Sequence, residues 1–194
     1  MKKGFTIVEV SILFVIFLIV AFLVAPMSLD ETMQAKNISR WKVVQSDFIN
    51  IANTINLKIS DGSNYQSAFD SVMSEQVKTP MTSYRISYMN GRIPVEGEQY
   101  YFKNYATTQS GATIAYKFYP QKNNSILGML MYDINGQVGP NVWGKDVFGL
   151  NIYSDKFEPF CKNDALQVQK NDCSKIGSGL CCSNYYLIGG SIDW

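Results

Sequence analysis

From Val10 to Leu29 the chain carries no charged residue, and only Ser11 and Ser28 are polar. A helix needs about 20 apolar residues to cross a bilayer, so residues 5–29 are predicted as one membrane-crossing helix. Lys2 and Lys3 precede the run, which keeps its amino end cytoplasmic and sends the rest outward. After Pro26 the pattern becomes one-sided. Ile38, Trp41, Val44, Phe48, Ile51, Ala52, Ile55 and Ile59 recur at three- and four-residue spacing, which predicts an amphipathic helix over 30–60. Lys36, Arg40, Lys42, Asp47 and Lys58 fall mainly off that stripe. Core burial of the stripe is preferred over packing on a partner helix. The run Ser60-Asp61-Gly62-Ser63-Asn64 is rich in turn formers and marks the end of the helix.

Phe69, Val72, Met73 and Val77 share a face at helical spacing, so a second helix is expected over 65–78, ended by Pro80, within a connection spanning 61–82. Beyond it the rhythm is β. Residues 83–89, 99–105, 112–119, 125–134 and 146–153 are rich in Tyr, Phe, Ile and Val, as strands are. Asn90-Gly91, Ser110-Gly111 and Asn135-Gly136 punctuate them, and Asn-Gly between strand-like runs is a strong hairpin signal. Pro94 makes the stretch after Asn90-Gly91 a poor central strand. A long helix followed by such strands gives an α+β fold with an antiparallel sheet domain over 83–194.

Composition removes whole classes of function. The 194 residues include no histidine, which excludes Ser/His/Asp and Cys/His nucleophiles and histidine-based zinc sites. No grouping of carboxylates points to catalysis, so no enzyme is expected. A formal charge of +1 lacks the basic excess of a nucleic-acid binder, and no nucleic-acid partner is predicted. Cys161, Cys173, Cys181 and Cys182 lie near the carboxy terminus, on the non-cytoplasmic side of the predicted span, where disulfides form and persist. Adjacent cysteines seldom bond each other without strain, so Cys181 and Cys182 are expected to take Cys161 and Cys173 as partners, in either of two pairings. A loop of about 15 residues closed in this way contributes roughly 3 kcal/mol. The spacing suits neither a zinc ribbon nor Cys-x-x-Cys redox chemistry.

The amino terminus reads Met1-Lys2-Lys3-Gly4-Phe5-Thr6-Ile7-Val8-Glu9. An ordinary secretory signal and a plain membrane anchor are alternative readings, but neither accounts for Glu9. A carboxylate inside a membrane segment costs roughly 2.5–3.5 kcal/mol and marks a functional position that needs a partner. The basic leader ending in Gly4, the following Phe5 and the Glu9 before the apolar run resemble the prepilins of type IV pili and of type II secretion pseudopili.

The resemblance covers about the first 30 residues. It implies a pilin-like fold in which the second half of the long helix is covered by the sheet. It implies a leader of residues 1–4, cleaved by a prepilin peptidase between Gly4 and Phe5, with N-methylation of Phe5. Phe5 and Glu9 would then meet in subunit assembly, the new α-amine of one subunit facing the Glu9 carboxylate of another. The implied partners are the peptidase, the inner membrane and other pilin or pseudopilin subunits. The implied location is the bacterial inner membrane with the carboxy-terminal domain in the periplasm, then the filament and the cell surface. Pro26 matches a proline that pilins use to soften or kink the helix; the alternative is a proline that simply ends the span. A carboxy-terminal disulfide loop is also a common pilin feature, often exposed. A minor pilin or pseudopilin is the leading assignment. The alternative is a membrane-anchored periplasmic binding protein or adhesin that never polymerises.

The stretch from Asp133 to Phe148, with its Asp-x-Asn-Gly, Gly-Pro-Asn and Gly-x-Asp-x-Phe spacing, resembles one found in some minor-pilin-like and pseudopilin-like proteins. Asp133, Asn135, Asn141 and Asp146 offer the hard oxygens that calcium prefers, though not in EF-hand order. Turns closed by Asx hydrogen bonds account for the same residues. The turn reading is preferred, and no cofactor is expected, with calcium as the alternative.

Overall fold

The computed structural model describes residues 7–81, 83–120 and 125–191, with side chains left out for 22–31. Gly4 and Phe5 lie outside the described residues. The chain divides into two compact units, Met1–Lys36 and Asn37–Trp194.

One helix, α1, has bounds Ile7–Ser60, and ends at the predicted turn formers, where Gly62 takes φ 96°. Pro26 falls within those bounds; its side chain is not described. In the first unit, residues 7–21 are exposed on every face of the helix. Among the described residues no helix is long and apolar enough to cross a membrane. The segment predicted to span, 5–29, begins outside the described residues and extends into those whose side chains are not described.

In the second unit α1 is one-sided. Trp41, Phe48, Ala52 and Ile55 are buried while Val43 and Leu57 face solvent, as the three- and four-residue spacing requires. The helix α2, Tyr65–Gln76, starts where the Asn64 side chain accepts from the Ser67 N–H, an N-cap that satisfies one orphan donor of the first turn. Six strands follow: β1 Val77–Met81, β2 Tyr105–Thr108, β3 Thr113–Phe118, β4 Gly128–Asp133, β5 Val147–Ile152 and β6 Phe157–Pro159. They lie side by side in chain order, and each neighbouring pair is antiparallel. The fold is therefore α+β with an antiparallel sheet, as the sequence pattern predicts.

Alternation along the central strands divides the core. Leu130, Phe148, Leu150 and Ile152 join a cluster with Trp41, Phe48 and Phe69, where Trp41 stacks on Phe148 with ring centroids 4.8 Å apart. Met129, Met131 and Val147 join a second cluster with Ile86, Phe102, Trp143 and Phe160. Gly149 has no alternative residue: a Cβ there would run into the Phe160 ring.

Several expected strands are absent or displaced. Residues 83–89 form no strand, and Ser87 makes only an isolated bridge to Val142. The Asn90-Gly91 turn does form, with Gly91 at φ 82° and the Tyr88 N–H donating to the Arg92 carbonyl at 2.7 Å. It joins no strands, because the flanking chain is used to cover the second cluster. Residues 99–105 shift to β2, starting at Tyr105. The second helix stops at Gln76, and Val77 onward becomes the edge strand β1. Pro80 is tolerated there because an edge strand need not donate on its outer side.

Candidate functional site

The carboxy-terminal segment is pinned by two disulfides, Cys161–Cys181 and Cys173–Cys182, which selects one of the two expected pairings. Between them sits α3, Leu166–Asp172, followed by the short α4, Cys182–Tyr185. The polar loop between Cys161 and Cys181 is largely exposed, with Gln169 and Cys173 buried within it, whereas the stretch that follows, 179–186, is enclosed. Cys182 and Tyr186 are fully buried, and the Trp41 indole N–H donates to the Ser183 carbonyl at 2.8 Å. Gly149 N–H donates to Ser183 Oγ at 2.9 Å, and Tyr186 O–H to the Gly144 carbonyl at 3.0 Å. Asp172 accepts from Cys181 N–H at 2.8 Å and from Ser178 N–H at 2.9 Å. Residues 179–186 are thus part of the core, tied in by these hydrogen bonds. Cys161, Cys181 and Asp164 lie close together, but the two sulfurs are bonded to each other and offer no thiolate to a metal.

The second predicted constellation lies between β4 and β5, and the fold brings its residues together. Asp133, the last residue of β4, and Asp146, just before β5, are both fully buried. Asp133 Oδ1 accepts from the N–H groups of Asn135 and Gly136, each at 2.9 Å. Its Oδ2 accepts from the Tyr84 O–H. Asp146 accepts from Asn141 N–H at 2.9 Å and from Val142 N–H at 2.6 Å. With its nitrogen turned inward, the Asn141 side chain donates to Asp133 Oδ2 at 3.3 Å and to the Gly136 carbonyl at 3.2 Å. Asn141 takes φ 53°, a conformation Asn accepts more readily than most residues.

Electrostatics here is set by burial. Desolvation, reinforced by the charge of Asp146, pushes the Asp133 carboxyl up to about 8; hydrogen bonds from Tyr84, Asn135 and Gly136 offset this only in part. Asp146 is raised by burial as well, against the pull of the Val142 and Asn141 N–H groups. Tyr84 is raised by its own burial and by the neighbouring Asp133. Among the described residues no ion pair reaches either aspartate. The donor set fits a hard cation: two carboxylates and Asn135 Oδ1, which is buried without a hydrogen-bond partner, are oxygens of the type calcium takes. A proton on Asp133 relieves the same charge without a metal.

Sequence reasoning found Asp133, Asn135, Asn141 and Asp146 but missed Tyr84, which lies 49 residues away from Asp133 along the chain. No local signal announces that pairing. In the first unit, Glu9 sits in the first turn of α1, and Ser11 Oγ donates to the Ile7 carbonyl at 2.9 Å, which leaves the helix surface there almost wholly apolar. No family model, curated protein or solved structure matches this chain.

Proposed function

We propose that this chain is a structural subunit, a minor pilin or pseudopilin, of a type IV pilus or type II secretion pseudopilus. A prepilin peptidase cuts between Gly4 and Phe5 and methylates the new amino end, and the subunit is drawn from the inner membrane into a filament. The observation that carries this reading is the first unit. Ile12, Leu13, Phe14, Val15, Ile16 and Phe17 are each at least half exposed, on a helix that is apolar all round. Such a helix is stable only in a bilayer or among other helices, and the Gly4-Phe5 junction with Glu9 supplies the chemistry of release from one to the other.

In the filament the Glu9 carboxylate takes its counter-charge from a neighbouring subunit. Cleavage creates an α-amine at Phe5 whose ordinary pKa is about 7.7–8.0, protonated near neutrality. A pair of this kind adds little net stability once buried, but leaving one partner alone is strongly unfavourable. It therefore fixes the axial register between subunits. The α+β second unit, with its helix covered by an antiparallel sheet and its disulfide-pinned tail, is the kind of pilin-like domain such a filament displays.

Mass spectrometry of the mature amino terminus tests the reading. N-methylphenylalanine at residue 5, dependent on a prepilin peptidase, is the expected result; an intact Met1 overturns it in favour of a membrane-anchored binding protein that does not polymerise. Glu9→Ala is expected to leave insertion and cleavage intact while filament yield falls by about tenfold or more, the cost of an unpaired buried charge.

A further inference from the structure

Residues 83–104 connect β1 to β2 without a strand of their own, and irregular connections of that length are uncommon in compact domains unless they do something. This one is dense in tyrosine, and it holds a cation that joins no ion pair among the described residues. Arg92 pairs with Glu98 at 2.6 Å and Lys103 with Glu96 at 3.9 Å. Arg85 is exposed and joins none of the ion pairs among the described residues.

Arg85 forms a wall shared by two adjoining hollows. One, of about 140 Å³, is lined by the tyrosines Tyr84, Tyr100, Tyr101 and Tyr105 and by the apolar Ile86, Ile93 and Pro94. The other, of about 440 Å³, is open and lined by Ser83, Gln137 and Asn141 as well as Tyr84 and Arg85. The aromatic side is held in place. Tyr84 and Tyr105 have ring centroids 5.0 Å apart, and the Tyr84 hydroxyl is anchored on the buried Asp133. The two hollows therefore present a largely aromatic face, a guanidinium outside the ion pairs of the described residues, and a set of uncharged hydroxyl and amide groups side by side.

We propose that these two hollows, joined at Arg85, form a binding site for an acidic saccharide, with a sugar ring against the tyrosine faces and its carboxylate on the Arg85 guanidinium. Each part of the site answers a part of that ligand. The C–H face of a sugar ring packs on tyrosine. The planar fork of arginine matches a carboxylate bidentately, which lysine does not. Ser83 and Gln137 donate to and accept from ring hydroxyls, and Asn141, whose nitrogen is turned inward, is left to accept through its oxygen. An inorganic anion would engage Arg85 but leave the tyrosines idle. An apolar peptide side chain would fill the aromatic hollow but leave the polar one without a partner. The site lies wholly in the second unit, and its use does not depend on whether the chain polymerises.

The test is calorimetric titration of the full chain, in detergent micelles, with a tetramer of α-1,4-linked galacturonate. The fully methyl-esterified tetramer serves as the neutral match and tetraglutamate as the acidic peptide control. The acidic saccharide is expected to bind at least about tenfold more tightly than either control. Arg85→Gln is expected to lose about tenfold, Arg85→Lys less, and Tyr101→Ala a similar factor, all with unchanged melting temperature because the fold does not use these groups. No binding at about 10 mM galacturonate tetramer overturns the proposal. So does equal affinity in Arg85→Gln. Tetraglutamate binding as tightly as the saccharide overturns it in favour of an acidic peptide.

Discussion

The second unit buries carboxylates in two different ways, at the β4–β5 connection and at the edge strand β6. Asp133 is fully enclosed and held by two N–H groups and a phenol, with no ion pair among the described residues. Glu158, in β6, is almost as enclosed, yet Lys156 and Lys162 each reach its Oε1 at 2.9 Å. Burial pushes both carboxyls up. At Glu158 the hydrogen bonds from Lys162 and Lys156 outweigh it and hold the carboxyl below its ordinary value; at Asp133 neutral donors do not suffice. The two side chains are about equally covered, but Asp133 lies much deeper in the protein, so the opposite signs reflect heavier desolvation there together with the cations within reach of Glu158.

The sharpest way to break this comparison is to remove Asp146. Asp146→Ala strands the Asn141 and Val142 N–H groups, and an unsatisfied buried donor costs about 1–3 kcal/mol. We expect thermal unfolding about 10 °C lower, measured by circular dichroism.

The next effect is the pH dependence of Asp133. Its folded pKa of about 8 lies above the ordinary 3.8, so the folded state binds the proton more tightly than the unfolded chain. Stability contributed here is greatest below about pH 4, falls as pH rises towards 8, and then levels. Asp133→Asn is expected to flatten that decline and to raise the melting temperature at pH 8 by about 5 °C. An unchanged slope in urea titrations across this range would defeat the assignment.

Glu158 runs the other way. Its depressed pKa contributes stability above the ordinary value of 4.5 that is lost as pH falls through the folded value. Because both lysines are about half exposed, solvent screening leaves the pair worth only about 1 kcal/mol or less. Glu158→Gln is expected to show that small loss at low salt, and less of it at 1 M salt.

The smallest expected effect belongs to calcium. With Asp133 neutral near pH 7, millimolar calcium is expected to shift the melting temperature by less than about 1 °C. A larger rise that disappears in Asp146→Ala would mean that the aspartates take a cation in place of the proton.

The two carboxylate sites were unequally legible. Asp133, Asn135, Asn141 and Asp146 stand out in the sequence because turn formers cluster within a short stretch. What raises Asp133 is burial within the packed domain, reinforced by the charge of Asp146, and the donor that partly offsets it, Tyr84, arrives from a segment that reads as a strand. Glu158 gave no sequence signal at all, since the three-residue strand that buries it is too short to show a period.

Local chemistry determined much of the molecule from sequence alone. The three- and four-residue spacing from Ile38 to Ile59 set the buried face of α1, the turn formers at 60–64 set its end, and β-rich runs located β3, β4 and β5. Tertiary structure decided the rest. It chose Cys161–Cys181 and Cys173–Cys182 between two pairings that sequence leaves equivalent. It drew residues 179–186 into the core by giving Ser183 and Tyr186 partners far away along the chain. It also made Val77–Met81 a strand because β2 was there to pair with it. Periodicity reports which face a residue shows, but only the packed chain determines what that face meets.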